Sequence, residues 1–150
     1  MQIYLLFALI HILAVISAMG ASATYQFWYS RAGLDRDRLV WVIDNVGQLE
    51  RRIANPSYAV AFVAGVATVL TGPYSFGTLW IAAAIAIYIV LALIGALLAA
   101  PVMRRRRELA MTDPTTSEYA AVAGRARMLS GISLLLVVVI AVLMVLKPTL

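Results

Sequence analysis

Four long apolar stretches, separated by polar and basic segments, organise this chain of 150 residues. They cover residues 2–29, 56–71, 76–102 and 128–146. An apolar stretch of roughly 20 residues is long enough to cross a bilayer as a helix. A membrane span must satisfy its own backbone hydrogen bonds, and the sequence has none of the alternating segments of a β-barrel. The pattern therefore predicts an all-α, transmembrane four-helix bundle that forms a single domain over residues 1–150.

The loop between the first two spans has a different pattern. Charged and amide side chains fill most of its positions. Its apolar residues recur between them at three- and four-residue spacing: Leu39, Val42, Ile43, Val46, Leu49 and Ile53. This periodicity predicts an amphipathic helix that lies in the membrane interface. A helix that docks on a partner fits the same pattern.

Proline marks the predicted starts of two helices. Pro56 follows Asn55 and Pro114 follows Asp113, and proline is favoured at the first position of a helix. Residues 115–118 contain a Thr-x-x-Glu pattern, which is typical of a capping box. We therefore expect the fourth helix to begin near Pro114 and to project from the membrane before entering it.

The composition excludes a simple cytosolic globule and a disordered chain. Hydrophobic residues make up 63% of the sequence and charged residues 13%, against about 45–50% and 25% in an ordinary soluble domain. The chain has no cysteine and one histidine, which excludes disulfides, thiolate sites and histidine-rich metal sites. No carboxylate lies in any span, and no catalytic motif is present. The sequence predicts no catalytic residue and no metal site, and it favours a non-enzymatic protein.

Basic residues lie almost entirely in two loops. Five arginines follow the first span, six follow the third, and Lys147 alone lies on the opposite side. Because lysine and arginine concentrate in cytoplasmic loops, we expect both loops inside and both termini outside the cytoplasm. Aromatic belts are then expected at the inner and the outer interface: Trp28, Tyr29 and Trp41 inside, and Tyr4, Tyr74 and Trp80 outside.

Four successive arginines end the third span: Arg104, Arg105, Arg106 and Arg107. Such a run fixes topology and can contact anionic lipid headgroups, so we predict lipid headgroup contact for all four. No aromatic residues are interleaved with them, which argues against nucleic-acid binding. The lipid bilayer is the expected partner, and a membrane-protein partner or a homo-oligomer is left open.

His11 is the residue of the spans that most suggests chemistry. It lies about ten residues into the first span, or about 15 Å deep at about 1.5 Å per residue, which is near the bilayer midplane. Ala14, Ala18 and Ser22 extend its side of the helix, and small residues let helices approach closely. We therefore expect His11 to point into the bundle.

Three roles are open for His11: a structural hydrogen bond, axial ligation of haem b or another metal, and proton relay. Tyr88 in the third span should lie at the same depth. A hydrogen bond between Tyr88 and His11 would satisfy both side chains. Tyr88 could also fill the second axial position of a haem. The sequence assures no cofactor, and haem b is the one cofactor that it leaves open.

Three segments carry a resemblance to a known family: residues 9–15 (LIHILAV) with Gly20, residues 50–52 (ERR) before Asn55-Pro56, and residues 142–148 (VLMVLKP). They resemble an uncharacterised family of small bacterial predicted integral membrane proteins. That family is similar, more distantly, to copper-resistance D-type proteins and to the membrane protoporphyrinogen oxidase of haem synthesis. The resemblance implies a four-span protein of the bacterial inner membrane.

In the oxidase group, a first-span histidine at the position of His11 is associated with haem binding. The same group carries a lysine in its third span, and residues 76–102 contain none. This departure from the group's pattern argues against the oxidase activity, and the resemblance leaves haem binding through His11 open. Three functional hypotheses follow: a non-enzymatic structural or accessory subunit of a membrane complex, a b-type haem protein with a redox or haem-maturation role, and, ranked last, a small transporter or channel.

Overall fold

The computed structural model describes residues 2–148, and every regular element within that range is helical. Two π-helical segments, Glu50–Ala54 and Ile94–Ala99, connect α2 to α3 and α4 to α5 without a break. The all-α prediction is confirmed. The six α-helices are α1 (Ile3–Ala32), α2 (Arg36–Leu49), α3 (Asn55–Thr71), α4 (Leu79–Leu93), α5 (Ala100–Thr112) and α6 (Ser117–Leu146).

Four continuous helical rods are long and apolar enough to cross a membrane: Ile3–Ala32, Arg36–Thr71, Leu79–Thr112 and Ser117–Leu146. This confirms the predicted number of spans. Each rod also continues past its apolar stretch at the same end of the bundle, where α1, α2, α5 and α6 meet. We call this the basic end (residues 29–55 and 100–127), and we call the apolar remainder of the rods the membrane half.

Each π-helical segment ends two residues before a proline, Pro56 in α3 and Pro101 in α5. A proline inside a helix has no N–H to donate, and its ring clashes with the carbonyl four residues earlier. The wider π turn accommodates this defect while the chain continues as a helix. As predicted, α3 begins at Asn55 with Pro56 in its first turn, although the preceding π-helical segment makes the rod continuous from Arg36 to Thr71.

The predicted amphipathic helix is present as α2. Its apolar residues Leu39, Val42, Ile43 and Val46 are at most 5% exposed, and they form one cluster with residues of α1, α5 and α6. Asp35 caps the helix by accepting a hydrogen bond from the Arg38 amide at 2.9 Å. The apolar face of α2 is therefore covered by other helices of the same chain.

The cap of α6 differs in detail from the prediction. The N-cap is Thr116, whose hydroxyl accepts a hydrogen bond from the Tyr119 amide at 3.1 Å, so the helix begins three residues after Pro114. Glu118 does not close a capping box, since its carboxylate accepts a hydrogen bond from Arg105 at 2.6 Å. As predicted, α6 begins well ahead of its apolar stretch, and its first turns belong to the basic end.

The membrane half is built from two helix pairs, α1 with α3 and α4 with α6. Within residues 2–148, no Cα atom of α3 lies within 8 Å of a Cα atom of α4. Side chains span this gap. The Phe62 ring stacks on Tyr88 with 4.6 Å between ring centroids, and the Tyr88 hydroxyl donates to the Tyr58 carbonyl at 3.2 Å.

Candidate functional site

The contact between α1 and α3 is made by small residues. Ala14 and Ala18 of α1 and Ala61 and Ala64 of α3 are all buried, so the two backbones come close together. Gly65 extends this contact, because a Cβ atom added there would lie 2.9 Å from Nδ1 of the His11 imidazole. A glycine is therefore required opposite the histidine.

His11 points from α1 toward α3, in agreement with its small-residue neighbours. Its Nδ1 atom lies 2.6 Å from the carbonyl oxygen of Ala61. A carbonyl oxygen only accepts, so we assign the proton of the neutral imidazole to Nδ1 and a lone pair to Nε2. A backbone carbonyl that orients the ring in this way is the usual second partner of a metal-binding histidine.

The hydrogen bond expected between His11 and Tyr88 is not formed. Tyr88 donates to the carbonyl of Tyr58, and His11 bonds to that of Ala61. In this arrangement the Tyr88 hydroxyl is a hydrogen-bond donor to the Tyr58 carbonyl. If a haem is bound, Nε2 of His11 would hold its iron, and a role of Tyr88 beside it stays a prediction.

A small cavity of about 60 Å³ lies between α1, α6 and the two π-helical segments. Glu50 and Ser130 line it, together with Tyr25 and Tyr29. The hydroxyl oxygens of both tyrosines are buried without a hydrogen-bond partner within residues 2–148. Because a buried polar group without a partner costs about 1–3 kcal/mol and the cavity exceeds the roughly 15 Å³ that one water needs, we expect ordered water there.

The sequence analysis did not single out this cavity. Tyr25 and Tyr29 lie on the same side of α1 as His11, but nothing in the sequence joins them to Glu50, which a π turn brings to the same level. The cavity is far smaller than the roughly 300–1,000 Å³ of sites that hold cofactors. Its lining suits water molecules or a comparably small polar ligand.

The four successive arginines occupy different environments. Arg106 is 7% exposed, and its guanidinium carbon lies 3.9 Å from the centroid of the Tyr29 ring. Arg105 forms ion pairs with Glu108 at 3.2 Å and with Glu118 at 2.6 Å. Little of the Arg106 side chain is therefore exposed for a headgroup contact, and headgroup contact by the four arginines stays a prediction.

Arg107 joins α5 to α2 through Asp44. Its Nη2 atom donates to a carboxylate oxygen of Asp44 at 2.9 Å, and its Nε atom donates to the other oxygen. This paired hydrogen bond lowers the pKa of Asp44 below the usual value of a carboxyl group. Arg104 is exposed, and within residues 2–148 it forms no salt bridge.

Aromatic residues mark both ends of the bundle, as predicted. At the end opposite the basic end, the rings of Tyr74 and Trp80 meet edge to face at 6.0 Å, and the Lys147 ammonium lies over both. At the basic end, Trp28 and Trp41 are exposed. Tyr29 lies at the same end and is partly buried beneath Arg106.

The four long rods and their exposed apolar side chains define an integral membrane protein. The chain belongs to the family described as "Predicted integral membrane protein (DUF2269)", whose sequence model matches residues 5–148. Comparison with curated proteins and with solved structures gives no match. The family assignment confirms the closer of the two predicted resemblances. The distant similarity to copper-resistance D-type proteins and the oxidase stays a prediction.

Proposed function

We propose that the protein is a non-enzymatic structural or accessory subunit of a membrane complex. One observation carries the proposal: the polar side chains that could perform chemistry instead join helices. His11 joins α1 to α3, and Tyr88 joins α4 to α3. Arg105 joins α5 to α6, and Arg107 joins α5 to α2. Interhelical hydrogen bonds of this kind stabilise a membrane bundle.

The test is to ask what the intact protein is bound to in its own membrane. The full-length chain, tagged at its natural expression level, would be cross-linked in membranes and extracted into copolymer nanodiscs. We expect a second membrane protein at a fixed stoichiometry. An unrelated four-span protein of similar abundance is the control. Recovery of the chain as a monomer, or only as copies of itself, would contradict the proposal.

The proposed location is the bacterial inner membrane, with the basic end in the cytoplasm and both termini outside. The support is the charge asymmetry of eleven basic residues against Lys147. A phosphatase that is active only outside the cytoplasm, fused after Leu150, should be active. Activity of a cytoplasm-specific reporter fused at the same place would overturn the orientation.

A second candidate function is favoured by the tautomer of His11. With Nδ1 hydrogen-bonded to Ala61, Nε2 keeps the lone pair that an axial haem ligand needs. A bound haem b would supply one-electron redox chemistry, and the chain would then have a redox or haem-maturation role. His11 would hold the iron, and the Ala61 carbonyl would orient the ring.

An absorption spectrum of the purified protein, oxidised and then reduced with dithionite, separates the two candidates. A haem protein shows a Soret band and reduced α and β bands that disappear in His11→Ala. They should persist in Tyr88→Phe, because the Tyr88 hydroxyl bonds elsewhere. A featureless visible spectrum from haem-replete cells would eliminate the haem candidate and leave the first proposal standing.

A further inference from the structure

An open groove of about 560 Å³ lies on the outer surface of the bundle, between α6 and the rod that contains α5. Most of its lining is apolar and includes Leu97, Pro101 and Met128. Two arginines, Arg105 and Arg125, complete the lining. The volume lies within the range of ligand pockets in proteins. We call this surface the arginine groove.

The groove runs along the helices across the edge of the apolar spans. Leu97 lies within the apolar part of its rod, and Arg105 lies about two turns nearer the basic end. On α6, Arg125 precedes Met128 by about one turn, at the start of the apolar stretch. Leu97 is 66% exposed and Met128 58% exposed. The apolar lining is therefore level with lipid chains, and the arginines are level with headgroups.

The charge of this region is positive. Between residues 100 and 130 the chain carries six arginines against Glu108, Asp113 and Glu118. Glu108 and Glu118 both pair with Arg105. Within residues 2–148, Arg125 forms no salt bridge. The guanidinium of Arg125 is thus available to an anion from outside the chain, and guanidinium groups bind phosphate through two parallel hydrogen bonds.

We propose that the arginine groove binds an anionic phospholipid of the phosphatidylglycerol class. The phosphate binds to Arg125 beside Arg105, and one acyl chain lies along Leu97, Pro101 and Met128. A positive rim joined to an apolar floor at the edge of the spans matches both parts of such a lipid. A zwitterionic lipid offers the same chains without the net negative charge, and an inorganic anion offers the charge without the chains.

The experiment uses the full-length chain in nanodiscs of phosphatidylcholine that contain a trace of phosphatidylglycerol with a photoactivatable acyl chain. After illumination, cross-linked peptides are mapped by mass spectrometry. We expect labelling to concentrate on residues 97–102 and 128–129. Arg125→Gln should reduce groove labelling about fivefold, which corresponds to the loss of one basic contact with an anionic headgroup. Arg127→Gln, also on α6 but outside the groove lining, should keep labelling within about twofold of the wild type.

Several outcomes would overturn the proposal: equal labelling of the two variants, labelling spread evenly over the exposed helix faces, or equal groove labelling by a photoactivatable phosphatidylcholine. Displacement of the lipid probe by inorganic phosphate alone would mean an anion site that does not depend on the lipid chain. If Arg125→Gln fails to fold, judged by circular dichroism, the comparison of the two lipid probes on the wild type decides the question by itself.

Discussion

The membrane half and the basic end of this protein are held together by different means. In the membrane half, α1 meets α3 through alanines, with Gly65 beneath the His11 ring. At the basic end, α2 packs through leucine, isoleucine and valine side chains, with ion pairs around them. Within residues 2–148, the largest side chain that is less than 2% exposed is Leu39, and it belongs to the basic end.

This difference follows from the surroundings that each region is built for. Lipid chains are as apolar as the side chains, so burying an apolar side chain between helices gains little free energy there. Helices in lipid therefore associate through close backbone approach and hydrogen bonds. Outside the hydrocarbon, water makes the burial of large apolar side chains the dominant stabilising contribution. The contact of α1 with α3 therefore uses small residues where it is surrounded by lipid, and α2 uses large ones where it meets water. The following variants test this contrast.

Leu39→Ala should have the largest effect. The side chain is 1% exposed, and truncating a leucine in such a place costs about 2–5 kcal/mol. Unfolding of the detergent-solubilised protein by sodium dodecyl sulfate, followed by circular dichroism, measures the loss. The matched control is Leu34→Ala, since Leu34 is 58% exposed and should change stability by no more than about 0.5 kcal/mol. Equal effects would show that α2 is not packed as described.

Gly65→Ala should come next. The added methyl group would lie 2.9 Å from the His11 ring, so α1 and α3 must separate, at a cost of about 1–3 kcal/mol. Gly131→Ala is the control in the membrane half, because a Cβ atom there meets nothing within 4 Å. It should be neutral or stabilising by up to about 1 kcal/mol, since alanine favours helix. A stabilised Gly65→Ala would refute the close approach of the two helices.

His11→Ala tests the hydrogen bond that accompanies the small-residue contact. Its loss should reduce stability by about 1 kcal/mol, the usual size of an interhelical hydrogen bond in a membrane protein. Tyr88→Phe should cost a similar amount by removing the bond to Tyr58 while keeping the stacked ring. The double variant should show additive losses, because the two bonds have different partners. Strong non-additivity would instead indicate that the two side chains interact directly.

Asp44→Asn should have the smallest effect, because the ion pair with Arg107 is more than one-third exposed. Folding lowers the pKa of Asp44, so its contribution is present above the unfolded value of about 3.9 and disappears as the pH falls further. The wild type should therefore lose an advantage over Asp44→Asn as the pH drops below about 4. Asp37→Asn, on the same helix, is the control. An advantage that persists at pH 2 would contradict the pairing.

Much of the fold could be predicted because the length and number of the apolar stretches can be read directly from the sequence. Four apolar stretches specify four helices, since no other spanning structure without a β pattern satisfies the backbone. The period of α2 specifies which of its residues are covered, and the structure buries Leu39, Val42, Ile43 and Val46 as one face. What covers that face could not be predicted, because periodicity contains no information about the partner.

The candidate site was predicted less completely. The orientation of His11 followed from its small neighbours, but its hydrogen-bond acceptor is a backbone carbonyl, which every residue has and no sequence pattern identifies. Depth in the membrane alone suggested Tyr88 as the hydrogen-bond partner of His11, whereas the Tyr88 hydroxyl donates to the carbonyl of Tyr58. The separate environments of Arg105, Arg106 and Arg107 arise from roughly 100° of helix rotation per residue, which places neighbours in the chain on different faces.

The burial of α2 against α5 also has a consequence for the order in which the chain is made. Asp44 and Arg107 are 63 residues apart in the sequence, so α2 is complete before the ribosome has added α5. During that interval α5 and α6 are not yet present to cover Leu39 and its neighbours. We expect the amphipathic pattern of α2 to hold this apolar face at the membrane surface until α5 has been synthesised.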